Sequence, residues 1–163
     1  MTIGQHPFGD FRCLLVVNEQ EEKKEMTDQN EYVLVCAPTK AGEHFIKLLK
    51  FRGIKMAGLT NNLAEKALLE ELGIEQVILV DTRHQSTWFR PSFPVGRVYL
   101  FESSFPLCCR YIQMCRTWTT QPIFVITSSI NPRLVYKRLG ASYVIYSHSG
   151  DADFLIDRSP HQG

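Results

Sequence analysis

The segment Cys36-Ala37-Pro38-Thr39-Lys40-Ala41-Gly42 brings a hydroxyl, an ammonium and a glycine together directly after an apolar run. At the start of a helix, Lys40 would stand where free backbone N–H groups already favour an anion, so phosphate contact is the chemistry these residue types suit. A solvated lysine on a turn is the plain alternative. Two further apolar runs end in hydroxyls and amides, at Thr60-Asn61-Asn62 and Thr127-Ser128-Ser129, and two more at Asp81-Thr82-Arg83 and Glu102-Ser103-Ser104. Such side chains suit ribose and phosphate oxygens, and equally the capping of strand-to-helix turns.

Catalytic constellations are weaker. A tyrosine acting as proton donor beside a lysine four residues on is not found: Tyr111 has Cys115 at that spacing, and no other tyrosine has lysine there. Cys108, Cys109 and Cys115 lie far in sequence from the nearest histidines, His84 and His148, so no thiol has an evident base. His44 and His148 could approach the ends of the apolar runs. Asp81 and Glu102 close two of those runs without a recognisable partner. No spacing supports a metal site. No residue is therefore assigned a catalytic role.

The elements that must position these residues follow from periodicity. Tyr32–Cys36 is a continuous apolar run, and Glu43–Phe51 groups Phe45, Ile46, Leu48 and Leu49 on one helical face before Gly53. Ile54–Leu59 is a second strand. Thr60 or Asn61 can cap a helix over Leu63–Leu72, in which Leu63, Ala64, Ala67, Leu68 and Leu72 follow helical spacing up to Gly73. Gln76–Val80 is a third strand. Strands that are continuously apolar predict a parallel sheet covered on both faces.

The second half repeats the first. Gly53–Val80 aligns without gaps on Thr120–Ser147, matching Thr60 with Thr127, Leu72-Gly73 with Leu139-Gly140, and Val77-Ile78 with Val144-Ile145. Upstream, Arg97–Phe101 matches the first strand and Leu107–Cys115 the first helix. Two βαβαβ halves in tandem predict a doubly wound, Rossmann-like α/β sheet of strand order 3-2-1-4-5-6, with helices on opposite faces in the two halves. The link Asp81–Gly96 has no helical pattern. Its Trp88, Phe89 and Phe93, with Arg83, Arg90 and Arg97, read best as packing over the sheet, and could also form a lid or a dimer contact.

The whole chain has 163 residues, 44% hydrophobic and 21% charged, with a net charge of +1. That suits one domain over residues 32–157, and argues against both membrane insertion and strongly electrostatic binding of nucleic acid. Five cysteines, an odd number without C-x-x-C spacing, read as buried thiols of a cytoplasmic protein. Residues 1–31 hold three basic and seven acidic side chains and read as a poorly ordered leader or linker, with Cys13–Val17 as a short strand or a sticky arm; 158–163 form a tail. The codons for Glu21–Glu25 are necessarily an unbroken purine run just before Met26. A bacterial ribosome-binding tract would look like this if translated, so the natural start is expected at Met26, with an ordinary charged linker as the alternative.

In a sheet of this kind ligands bind beyond the carboxyl ends of the strands, where the order reverses between strands 1 and 4. A dinucleotide fingerprint there uses three glycines, and only Gly42, the one for close helix–strand packing, is kept; Cys36 and Thr39 occupy the places of the others. The second strand ends without the acid that would bond a ribose 2′-hydroxyl. NADP(H) is therefore favoured over NAD(H), although no arginine stands beside that strand end to clamp a 2′-phosphate and Lys66 lies a turn further on. The expected binding residues are Ala37, Pro38, Thr39, Lys40, Ala41, Gly42, Thr60, Asn61, Asn62, Thr82, Ser103, Thr127 and Ser128, with no metal.

Gly53–Val80, and Leu139-Gly140-Ala141-Ser142-Tyr143-Val144-Ile145, resemble the cofactor domain of zinc-independent medium-chain quinone reductases, in which a strand, a Thr- or Ser-rich turn and a helix ending in Leu-Gly precede a Val-Ile strand. They are also similar to nucleotide-binding domains that regulate potassium channels and transporters. The resemblance covers about 115 residues. It implies nucleotide binding and little about catalysis, since the glycine signature is degraded and the medium-chain substrate domain is absent. Three functions follow as expectations: a stand-alone module binding NAD(P) or another nucleotide effector; a ligand-free interaction protein; and a small NADPH-dependent reductase working as a homodimer.

Overall fold

Short β-rich apolar runs, each stopped by a polar turn, produce six strands: β1 (Tyr32–Cys36), β2 (Met56–Thr60), β3 (Gln76–Leu79), β4 (Val95–Phe101), β5 (Ile123–Thr127) and β6 (Tyr143–Tyr146). The computed structural model describes residues 30–157. Expectations for the leader, Cys13–Val17, the start at Met26 and the tail 158–163 lie outside the described residues. All neighbouring strands pair in parallel, in the order β3-β2-β1-β4-β5-β6 that the two-fold repeat predicts.

Successive residues of a strand point to opposite faces, and both faces are apolar, so each needs a cover. Val35, Tyr99, Phe101 and Ile126 meet Phe45, Ile46 and Leu49 of helix α1 (Lys40–Phe51) and Leu69 of α2 (Leu63–Glu71). The other face, with Leu34, Leu59, Val98, Leu100 and Val125, is covered by Ile112, Met114, Cys115 and Trp118 of α3 (Phe105–Trp118) and Tyr136 of α4 (Arg133–Leu139). The helices of the two halves thus lie on opposite faces, as the right-handed crossover requires. A last turn, α5 (Phe154–Asp157), brings Leu155 and Ile156 into the layer of α1.

Several boundaries differ from the sequence reading for local reasons. Helix α1 starts at Lys40, not Glu43, because Thr39 caps it: its Oγ1 accepts the Gly42 N–H at 3.1 Å. Helix α2 is capped by Asn62, not by Thr60 or Asn61, its side chain accepting the Glu65 N–H at 2.8 Å. The helical spacing of Leu63, Ala64, Ala67 and Leu68 does not mark the buried side. All four are exposed, whereas Leu72 at the helix end packs half-buried on the core as that spacing expects, and Leu69 is buried close against β2 where a β-carbon on Gly58 would come within 2.9 Å of Leu69 Cδ1. Both repeated helices stop at a glycine with positive φ, Gly73 at 93° and Gly140 at 125°, a conformation that favours glycine.

The connection from β3 to β4 contains only a 3₁₀ turn, Gln85–Thr87. Trp88 and Phe93 pack against the core where a crossover helix would otherwise lie, and Phe93 meets the Tyr32 ring at 4.6 Å. Phe89 is exposed. Arg110 of α3 donates to the Thr82 carbonyl, and Trp88 Nε1 donates to the Asp81 carbonyl at 2.9 Å, so the connection is tied down at its root.

Candidate functional site at the carboxyl edge of the sheet

The order reverses between β2-β1 and β4-β5, so the connections after β1 and β4 leave in opposite directions and open a crevice at the carboxyl edge. Helix α1 begins at that point. A β-carbon on Gly42 would lie 2.7 Å from Ala37 Cβ, 2.8 Å from Ala37 Cα and 3.2 Å from Phe101 Cγ, so the first turn of α1 sits hard against the end of β1. Only glycine permits this approach. Thr39 takes the Gly42 N–H on its hydroxyl and the Glu43 N–H on its carbonyl, which leaves the amides of Lys40 and Ala41 as the free donors of the first turn among the described residues. Lys40 itself extends into solvent, 3.6 Å from Glu43. Gly150, in the loop after β6, lies close to Ala41, and His44 pairs with Asp153 at 3.2 Å. Loop and helix start are therefore neighbours.

Beside this crevice is a cleft of about 620 Å³ between the ends of β2 and β3, lined by Asn61, Asn62, Leu63 and the run Leu79–Arg83. It brings Asn61, Asn62 and Thr82 together, and adds two residues that the sequence reading left out. Arg83 corrects the expectation that no arginine stands by the end of β2, since β3 pairs alongside β2 and carries it there. Asp81 corrects the expectation of a carboxylate without a partner. Its Oδ1 accepts the Arg83 N–H at 2.9 Å and Nε at 3.3 Å, and its Oδ2 lies 3.0 Å from His84 Nδ1. The Arg83 N–H above all, then His84, holds the Asp81 carboxyl at about 2, well below its ordinary value. These bonds use the backbone N–H and Nε of Arg83, whose side chain is otherwise exposed. Lys66, the other cation considered, is 3.8 Å from Glu70 instead.

Thr60 and Thr127 occupy equivalent places in the two halves and do equivalent work. Each is buried, accepts the N–H two residues on (Asn62 at 3.3 Å, Ser129 at 3.0 Å), and donates to a carboxylate. Thr60 uses Glu65 Oε2 at 2.6 Å; Thr127 uses Glu102 Oε1 at 2.8 Å. Glu102 also accepts from the hydroxyl of buried Tyr136, so it is the second carboxylate whose partners the sequence did not show. The Thr60 and Thr127 hydroxyls are thus spent on fixing the strand ends. Ser103 and Ser128 stand exposed beyond β4 and β5, while Ala37 is buried beneath the first turn.

Burial disfavours the thiolate form of the described cysteines. Burial pushes Cys36 and Cys115 well above the ordinary thiol range and Cys108 up to about 12. Burial likewise raises the Tyr111 and Tyr136 hydroxyls. Among those residues no group of three or more His, Cys, Asp or Glu could hold a metal, and no helix is long and apolar enough to cross a membrane.

The sheet and its reversal point define a Rossmann-like α/β fold. No protein-family model matches the chain, and no curated protein sequence matches it. Solved structures do. The NAD(P)-binding domain of an exopolyphosphatase-related protein from Archaeoglobus fulgidus superposes with a TM-score of 0.60 at 18% identity, over 78% of this chain and 97% of that one. The TrkA-N domain of the inner membrane protein ybaL from Escherichia coli gives 0.58 at 11% identity, over 78% and 95%. The GsuK channel bound to NAD gives 0.59 at 17% identity, over 72% of this chain but only 22% of the channel. At these identities the likeness is one of fold. None of these three is a quinone reductase, and one of them is a channel.

Proposed function

We propose that the chain is a nucleotide-binding module that works by binding rather than by turnover, takes a dinucleotide across the crevice, and favours NADP(H) over NAD(H). The observation that carries this reading is the cradle at Gly42. A methyl group would fill it, and it sets the free amides of Lys40 and Ala41 at the reversal point of the sheet. Anions are favoured there by the helix dipole, with the Lys40 ammonium adjacent and Pro38 and Thr39 shaping the turn. Asn61, Asn62 and Thr82 line the neighbouring cleft for a nucleoside, where Arg83 supplies a cation for a 2′-phosphate. Ser103 and Ser128 face the second half of the ligand, on strand ends that Thr60 and Thr127 hold in place. The proteins of similar fold named above include an NAD(P)-binding domain and a channel bound to NAD, which supports the ligand class. The unpaired, protonated thiols suit a reducing cytoplasm.

Thermal-shift measurements with NADPH, NADP, NADH, NAD, ATP and AMP test the reading. A ligand at 100 times its dissociation constant stabilises by about 2.7 kcal/mol. NADPH or NADP should raise Tm most, Lys40→Ala should reduce the rise for every nucleotide, and Arg83→Ala should reduce it for the 2′-phosphorylated pair alone. A folded chain that responds to none of the six refutes the proposal. One observation favours that outcome and the second reading, an interaction protein without a ligand: Lys40 already has Glu43 as its partner at 3.6 Å.

A further inference from the structure

Helix α2 holds Leu63, Ala64, Ala67 and Leu68 in solvent, Leu63 being 71% exposed. Positions i, i+1, i+4 and i+5 of a helix form one continuous strip. In the internal repeat they match Ile130 and Asn131, in the turn that leads into α4, and Leu134 and Val135 on α4 itself; the three apolar side chains are exposed, Ile130 by 69% and Leu134 by 72%. Each helix is anchored by a single buried side chain, Leu69 or its counterpart Tyr136. Apolar residues exposed singly need no explanation, but two strips at equivalent positions do.

The flanks of the two strips carry opposite charge. Glu70 and Glu71 on α2 match Lys137 and Arg138 on α4. Helix α4 adds Arg133 and has no carboxylate, whereas α2 adds Glu65 against one cation, Lys66. A strip with basic flanks fits one with acidic flanks. The two cannot meet within one chain, because α2 packs on one face of the sheet and α4 on the other, near opposite ends of the strand order.

We propose that the chain assembles head to tail, with α4 of one copy seated on α2 of a second copy. Each copy offers one surface of each kind, so the contact is heterologous and joins copies into a ring or an open row rather than a two-fold pair. Leu63 belongs to both the strip and the neighbouring cleft, but the assembly does not rest on the nucleotide reading and stands if no nucleotide binds.

Sedimentation velocity on the full chain tests it. The wild type should associate as its concentration rises, and less so at high salt. K137E/R138E, with two acidic helices, and E70K/E71K, with two basic ones, should each remain monomeric at concentrations where the wild type associates, with melting temperatures unchanged. Mixing them should restore association, since every α2–α4 contact between unlike variants pairs opposite charges. If a charge variant does not fold, Leu134→Asp provides the same break from a single exposed site. A wild type that stays monomeric overturns the proposal and leaves the strips to a different protein. Association that ignores both variants, or a mixture of folded variants that stays monomeric, overturns it as well.

Discussion

Replacing Gly42 by alanine sets two calculable effects against each other. Alanine is the better helix former by roughly 1 kcal/mol, so propensity alone would make Gly42→Ala stabilising. The new methyl, however, would lie 2.7 Å from Ala37 Cβ and 2.8 Å from Ala37 Cα, atoms that no side-chain rotation can move. Only the 3.2 Å contact with the Phe101 ring has room to give. Helix α1 would have to withdraw from β1 while Phe45, Ile46 and Leu49 hold it in the core. Overpacking of this sort costs about 1–3 kcal/mol, so a net loss of up to roughly 2 kcal/mol is expected after the propensity gain. For a chain of this size that is a fall in Tm of up to about 8 °C. Scanning calorimetry of Gly42→Ala, of Ala37→Gly and of the double variant measures it, and the double variant should recover part of the loss by removing the shorter contact. The same displacement should abolish any nucleotide-dependent rise in Tm. A Gly42→Ala chain that melts above the wild type would refute the reasoning, because it would show that the first turn of α1 has slack.

Tyr136→Phe removes a donor from Glu102 and should lower stability by about 1–3 kcal/mol, the range for depriving a partly buried charge of a partner; denaturant unfolding with unchanged stability would mean that water replaces the hydroxyl freely. Asp81 has a folded pKa of about 2 against an ordinary 3.8, so as pH falls the unfolded chain takes up this proton first. Its contribution is complete above pH 4 and fades towards pH 2. Asp81→Asn should therefore flatten the acid limb of stability against pH in that window, and parallel curves for the two chains would show that the carboxylate contributes nothing. Among the described thiols, half-buried Cys109 should be alkylated first in the native chain and buried Cys36 and Cys115 last, a ranking read by peptide mass spectrometry and reversed only if the α3 layer opens.

The scaffold of the candidate site was legible because its signals are local. Apolar runs gave the strands, glycines with positive φ gave the helix stops, and the repeat gave the strand order. What escaped were contacts between residues distant in sequence. Arg83 and Asn61 share a cleft only because β3 pairs beside β2, which the expected strand order already implied. Tyr136 and Glu102 lie 34 residues apart, and no local pattern announces such a bond. Thr60 looked like a helix cap because Ser, Thr, Asn and Asp all suit that position; the backbone assigned the cap to Asn62 and left Thr60 to hold the turn. In the β3–β4 connection composition alone did not separate Trp88 and Phe93, which cover the core, from Phe89, which does not.

Helix α2 exposes a deeper limit of periodicity. Spacing shows that a helix has an apolar side, not that its own domain covers it. Leu69 satisfies the core, and Leu63, Ala64, Ala67 and Leu68 are surplus to it. The two halves agree wherever the fold demands agreement, at Thr60 and Thr127, at the anchors Leu69 and Tyr136, and at Gly73 and Gly140. They also agree where the fold demands nothing, in exposing Leu63 and Leu68 and their counterparts Ile130 and Val135. They differ in the sign of the charges beside them. Solvent alone would let either strip become polar and would favour neither sign, so the combination of a kept strip and a reversed charge is the pattern of two surfaces shaped for each other.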